Sequence, residues 1–149
     1  MRPLHSIAII VALGLLLPVA RPSSAQTVQV GYHSRIDFTG RSSWAWLPGA
    51  PAFDPENQAL IRSEVERRMS RLGWTRKEGS ADLYLRSDVV GTVSQMVAAL
   101  RVDLIAPDGE TLVWRGLATG VVSPDRKRNR KTIKAAIAEM FKQFPRRPK

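Results

Sequence analysis

Residues 54–73 carry their own start, stripe and stop for a helix. Asp54 suits an N-cap that accepts a hydrogen bond from a free amide, and Pro55 has the preset φ of a first helical position. Ile61, Val65, Met69 and Leu72 recur at spacings of four, four and three, and Leu60 widens that stripe. Arg62, Glu64, Glu66, Arg67, Arg68 and Arg71 occupy the other faces. Gly73 suits the left-handed position that ends a helix. The pattern predicts a helix over 55–72 whose apolar face must be buried against another layer.

The rest of the chain supplies that layer. Val28–Phe38 alternates imperfectly and reads as a strand, and Ser43–Leu47 as a short second one, with Trp44 and Trp46 on one face and Ala45 and Leu47 on the other. Trp74–Lys77 suits a short strand after the helix. Asp82–Val90 reads as a strand burying Leu83, Leu85 and Val89, and Gly91–Gln95 as a turn. Met96–Ala106 and Glu110–Val122 form a hairpin around Pro107, Asp108 and Gly109. Its expected register pairs Val102 with Trp114 and Leu104 with Leu112, which sets Arg101 across from Arg115 and Asp103 diagonal to it. Ser123–Arg130 is polar and basic. A second helix is predicted from about 130 to 143, with Ile133, Ile137, Met140, Phe141 and Phe144 on its apolar face and Pro145 at its end. The order β-β-α-β-β-β-α implies an α+β fold: an antiparallel sheet with both helices packed on one face.

Residues 1–25 read as a cleaved secretory signal peptide. Arg2 is the positive region, Ile7–Leu17 the apolar run, Pro18 its end, and Ser23 and Ala25 the small residues before the cut. The run is too short for the roughly 20 residues of a bilayer-spanning helix. The expected organisation is a single domain over 26–145 and a basic tail over 146–149. The chain has no cysteine. That excludes thiol nucleophiles, thiolate zinc sites and an acylated N-terminal Cys, and an exported domain without disulfides must rest on its core.

The charge is uneven. Residues 126–149 hold ten basic side chains against Glu139 alone, whereas residues 26–125 are close to neutral. Clustering of this kind suggests an anionic partner. Arg126, Lys127, Arg128, Arg130, Lys131 and Lys134 are the candidate anion-binding residues. Positive charge near a helix N-terminus is unfavourable there, by about 0.3–1 kcal/mol per charge, so folding stability does not explain the run.

A succession of segments resembles the bacterial domain-of-unknown-function family 4136, a set of exported proteins with many putative lipoproteins among them. They are Asp37-Phe38, Trp44-Ala45-Trp46-Leu47-Pro48, Asp54-Pro55, Leu72-Gly73-Trp74, Ala81-Asp82-Leu83, Leu112-Val113-Trp114-Arg115-Gly116, and a basic helix closing at Phe144-Pro145. The resemblance implies an envelope location and no activity. The chain departs from the lipoprotein members in lacking a cysteine to acylate, which implies a periplasmic or secreted protein without a lipid anchor.

Catalytic and cofactor sites find little support. His33 is the one histidine after the leader and reads as a strand residue. No HExxH, GxSxG, P-loop or GxGxxG pattern is present, and no cofactor is expected. Alternation puts Asp82, Asp88 and Asp103 on the solvent side of their strands. Gly116 and Gly120 read as marks of a bend or bulge. The four tryptophans read as core, Trp46 and Trp114 first among them, each with its N–H satisfied at the edge. Arg115 is a possible surface contact, with Asp103 as its alternative partner. The sequence thus points to a non-catalytic envelope protein that binds an anionic lipid or lipopolysaccharide surface through its basic C-terminal segment. Nucleic acid is disfavoured because no aromatic residues interleave with the charges. An assembly partner in an envelope complex, using the exposed sheet face or edge, is the second reading, and a carboxylate hydrolase the third.

Overall fold

A computed structural model describes residues 26–32, 36–92, 97–121 and 123–146. The leader, His33, part of the expected 91–95 turn and the last three residues lie outside them. The elements are β1 (Thr27–Tyr32), β2 (Ser43–Trp46), α1 (Pro55–Arg71), β3 (Thr75–Arg76), β4 (Leu83–Thr92), β5 (Val97–Ile105), β6 (Leu112–Val121) and α2 (Arg126–Lys142). The fold is α+β, as expected, with β3 in the place of the short strand after the first helix.

The six strands form one sheet in the order β1-β6-β5-β4-β2-β3. The β1–β6, β6–β5 and β5–β4 pairings are antiparallel, while β2 runs parallel to both β3 and β4. The sheet is therefore mixed rather than wholly antiparallel. The cause lies in α1: a helix between β2 and the strands that follow carries the chain back to start them in the same direction. Past β2 the backbone keeps to β4, with Leu47 N–H donating to Leu85 O at 2.8 Å and Val89 N–H to Ala50 O at 2.9 Å. Gly49 permits this approach, since a Cβ there would stand 2.2 Å from the Ser87 carbonyl oxygen.

The hairpin register differs from expectation by two residues. Val102 faces Gly116, Asp103 faces Arg115 and Leu104 faces Trp114, with a bulge before Ile105 pairs with Leu112. Asp108 is responsible. Its carboxylate accepts from the Glu110 and Thr111 amides at 2.9 and 2.8 Å and takes the Thr111 hydroxyl as well. The Ala106 N–H donates to Thr111 O, which closes a longer loop than three residues. Gly91 lies within β4 rather than in a turn, and Gly116 within a regular ladder rather than at a bulge.

Both helices lie on one face of the sheet. The core joins Trp44, Leu83, Leu85, Leu100, Val102, Leu104, Trp114 and Ala118 of the strands to Ile61, Val65 and Met69 of α1 and Ala136, Ile137, Met140 and Phe141 of α2. Trp114 meets Phe141 and Phe144 edge to face, with ring centroids 6.0 and 4.8 Å away. Asp54 caps α1 by accepting from the Glu56 amide at 2.9 Å. Among the described residues, the strands, helices and core side chains belong to residues 27–144.

Candidate anion-binding surface and pocket

The second helix begins four residues before its expected start. Asp125 caps it, its carboxylate accepting from the Lys127 and Arg128 amides at 2.8 and 3.3 Å. Asn129 clamps the entry by accepting from Ser123 N–H at 2.8 Å and donating to Ser123 O at 2.6 Å. The basic run thus forms the first turns of a helix. Arg126, Lys127, Arg128, Arg130, Lys131 and Lys134 are all exposed.

Two of the six have partners on α1. Arg126 reaches Glu56 at 3.1 Å and Lys134 reaches Glu64 at 3.7 Å. These pairs follow one order along both helices, so α1 and α2 lie parallel with their N-termini at the same end. Lys127, Arg128, Arg130 and Lys131 form no ion pair among the described residues. The positive ends of two helix dipoles add to their charge, against Asp54, Glu56 and Asp125.

An open pocket of about 550 Å³ lies at that same end, between the sheet and the first turns of both helices. Its walls are mainly apolar: Ile61, Val89, Ala98, Leu100, Ala118, Ile133 and Ala136 among them, while the polar lining includes Arg126 and the Asp54 carboxylate along with Asn57, Asn129 and Thr132. Small residues make the room. Ala98 faces Gly120 across the β5–β6 ladder, and a Cβ on Gly120 would meet nothing closer than Gln26 Cγ at 3.8 Å. Phe53 also lines the pocket and is 65% exposed. The sequence reading missed this pocket. The clue available was the run of small residues at one end of otherwise large-residue strands.

Arg115 lies elsewhere, on the sheet face away from the helices. It donates to both oxygens of Asp103, from Nε at 2.7 Å and Nη2 at 2.9 Å. Arg86 adds a third bond to Asp103 at 3.1 Å from the opposite strand. Arg101 faces and pairs with Asp88, which also accepts from the Ala50 amide at 2.7 Å. Asp88 and Asp103 are therefore buried, at 5% and 0% exposure, and not solvated as their alternation suggests. The sequence position is right, but long arginine side chains lie over them. Burial acts to raise the Asp88 carboxyl, yet the Ala50 amide, Arg101 and Arg86 outweigh it and hold it below the ordinary range. The Asp103 hydrogen bond raises the Arg115 guanidinium further. Asp82 accepts from the Ser42 and Ser43 amides and the Ser43 hydroxyl, which pull its carboxyl down to about 2.

Three tryptophans are core: Trp44, Trp74 and Trp114 are at most 3% exposed. Trp46 is only partly buried, and its Nε1 donates to Glu66 while Arg62 stacks on its ring. The Trp114 Nε1–H is buried and finds no acceptor among the described residues, contrary to expectation.

A family model described as "Domain of unknown function (DUF4136)" matches residues 28–146. No curated protein matches the chain. Among solved structures, the PelC dodecamer from Paraburkholderia phytofirmans matches with a TM-score of 0.59 at 14% identity, covering 83% of this chain and 100% of that one. A single-substitution form of the same PelC matches with the same TM-score at 16% identity. A PDZ domain protein from Parabacteroides distasonis ATCC 8503 gives 0.57 at 12% identity, over 83% of this chain and 37% of that one. At such identities the likeness is one of fold.

Proposed function

The chain belongs to the DUF4136 family, and we propose that it is an exported, non-catalytic protein that rests on an anionic membrane surface through the first turns of α2. One observation carries this reading. Lys127, Arg128, Arg130 and Lys131 stand exposed and without ion pairs among the described residues, at a helix end where positive charge costs stability. A rigid cluster of cations attracts a surface of phosphates at about 1 kcal/mol per residue. The leader supports export, and the absence of cysteine leaves the basic helix to supply the hold on the envelope.

The test is co-sedimentation of residues 26–149 with vesicles containing phosphatidylglycerol. Charge substitution replaces truncation here, because α2 carries core residues Ile137 and Met140. Changing Lys127, Arg130 and Lys131 together to Gln removes about 3 kcal/mol and weakens binding on the order of 100-fold. High salt does the same to the unchanged protein. Binding indifferent to both would refute the reading. The assembly reading draws on the likeness to PelC, which is a dodecamer. A triple variant that binds vesicles as before, and runs as a large oligomer on a sizing column, would shift support to it.

A further inference from the structure

We propose that the pocket beside these cations takes the hydrocarbon chain of a single-chain anionic amphiphile, with the charged head held at the α2 N-terminus. The inference deepens the membrane reading and rests on it for the source of the ligand.

Size, lining and charge all point this way. The pocket, at about 550 Å³, falls within the roughly 300–1,000 Å³ of small-ligand sites. Its deep walls come from Ile61, Leu100, Ala118 and Ala136, which are at most 8% exposed yet leave the space between them unfilled. A chain without polar atoms suits such walls, since any buried polar group would need a partner they cannot give. Phe53 and Val97, exposed by 65% and 41%, extend the apolar lining out to the mouth. Arg126 is part of the lining and is itself exposed, and Lys127, Arg128 and Arg130 follow it within the first turns. Asp54 is the one acid in the lining, and Arg126, Lys127, Arg128 and Arg130 outnumber it, so apolar depth and a net cationic rim complement a fatty acid or a lysophospholipid, whose one chain and one anionic head share that chemistry.

Gly120 gives the means of testing it. It sits in β6 with ordinary backbone geometry and open space where a side chain would go. A Cβ there is free of clashes, so Gly120→Phe directs a ring into the pocket and puts a better strand former in the strand. The experiment titrates residues 26–149 with cis-parinaric acid and reads its fluorescence, then displaces it with palmitate, with lysophosphatidylglycerol and with neutral hexadecanol. Circular dichroism checks that the variant is folded, and Ala98→Leu provides a second filling variant. The expected result is saturable binding of the probe, at least tenfold weaker in either filling variant. Both anionic competitors should displace the probe at least tenfold better than hexadecanol. Displacement by lysophosphatidylglycerol ahead of palmitate assigns the head to a membrane lipid, and the reverse order to a free fatty acid. No saturable binding, or equal binding by the filled variants, overturns the proposal. Vesicle binding that survives in the filled variants leaves the membrane reading standing, so the two failures are separable.

Discussion

Replacing Asp103 by Asn keeps the shape of the side chain and removes the charge on which Arg86, Arg101 and Arg115 converge. Asp103 is wholly buried and accepts three hydrogen bonds, at 2.7 and 2.9 Å from Arg115 and 3.1 Å from Arg86. A hydrogen bond to a charged group is worth about 1.5–3 kcal/mol and a neutral one about 0.5–1.5, so neutralising the acceptor costs about 1 kcal/mol per bond and about 3 in total. The guanidiniums are 32–35% exposed, and water recovers part of that loss. The new amide also presents a donor where donors already point, which cancels part of the recovery. The net expectation is a loss of about 2 kcal/mol, or about 6–10 °C in Tm for a domain of this size. Urea and thermal unfolding of residues 26–149 at neutral pH, in low and high salt, measure it. Exposed pairs are screened by salt, whereas a buried carboxylate is screened much less, so the difference should persist in high salt. A loss under about 0.5 kcal/mol, or one that salt abolishes, would mean that the carboxylate anchors nothing and that the arginines are held by water.

Stability should fall as the pH drops through the carboxylate range. The folded-state carboxyls of Asp82, at about 2, and Asp88, also lowered, lie below their unfolded value. Their contribution is therefore complete above about pH 4 and is lost between there and about pH 2. Urea midpoints against pH give the slope, and Asp82→Asn should flatten it; an unchanged slope would remove Asp82 from the account. Gly116→Ala should destabilise by about 1–3 kcal/mol through overpacking. A Cβ there would stand 2.8 Å from Trp114 Cη2 and 2.9 Å from Met140 Cγ and Sδ. Trp114 is held by two phenylalanine rings and cannot yield, so a midpoint equal to that of the unchanged protein would show that Met140 alone absorbs the methyl group.

The sequence carries its helices and faces legibly because apolar periodicity reports burial directly. The α1 stripe is the case in point: Ile61, Val65 and Met69 are buried as spaced. What periodicity lacks is pairing. Asp108 binds two amides and a hydroxyl of its own turn, and those bonds lengthen the loop and move Asp103 opposite Arg115. No alternation pattern records that step. The direction of β2 was legible only in retrospect: Ser43, Trp44 and Ala45 are all buried, as in a strand covered on both sides. The cation cluster was visible as composition, but its helical placement was not, because Asp125 starts the helix four residues before the apolar stripe suggests. The pocket was hidden for a related reason. It is made by what Ala98, Ala118, Gly120 and Ala136 lack, and absent volume shows only once the elements are placed.

Arginine and lysine serve two different ends in this fold. On the outer sheet face three guanidiniums close over two buried carboxylates, and each has an acidic partner directly across the ladder. Their charge is spent locally, and their field beyond the sheet is weak. At the α2 end the arrangement is opposite. Acidic groups near the helix starts are few, parallel dipoles point outward, and four cations have no counter-ion among the described residues. A sequence selected for stability alone would follow the Asp125 cap with acids, whereas the first turn of α2 holds only cations among its charged residues. Here the cost, about 0.3–1 kcal/mol per charge, is borne beside a pocket of about 550 Å³ whose lining is mainly apolar. The unpaired charge and the empty volume make physical sense together, as the head and chain subsites of one amphiphile.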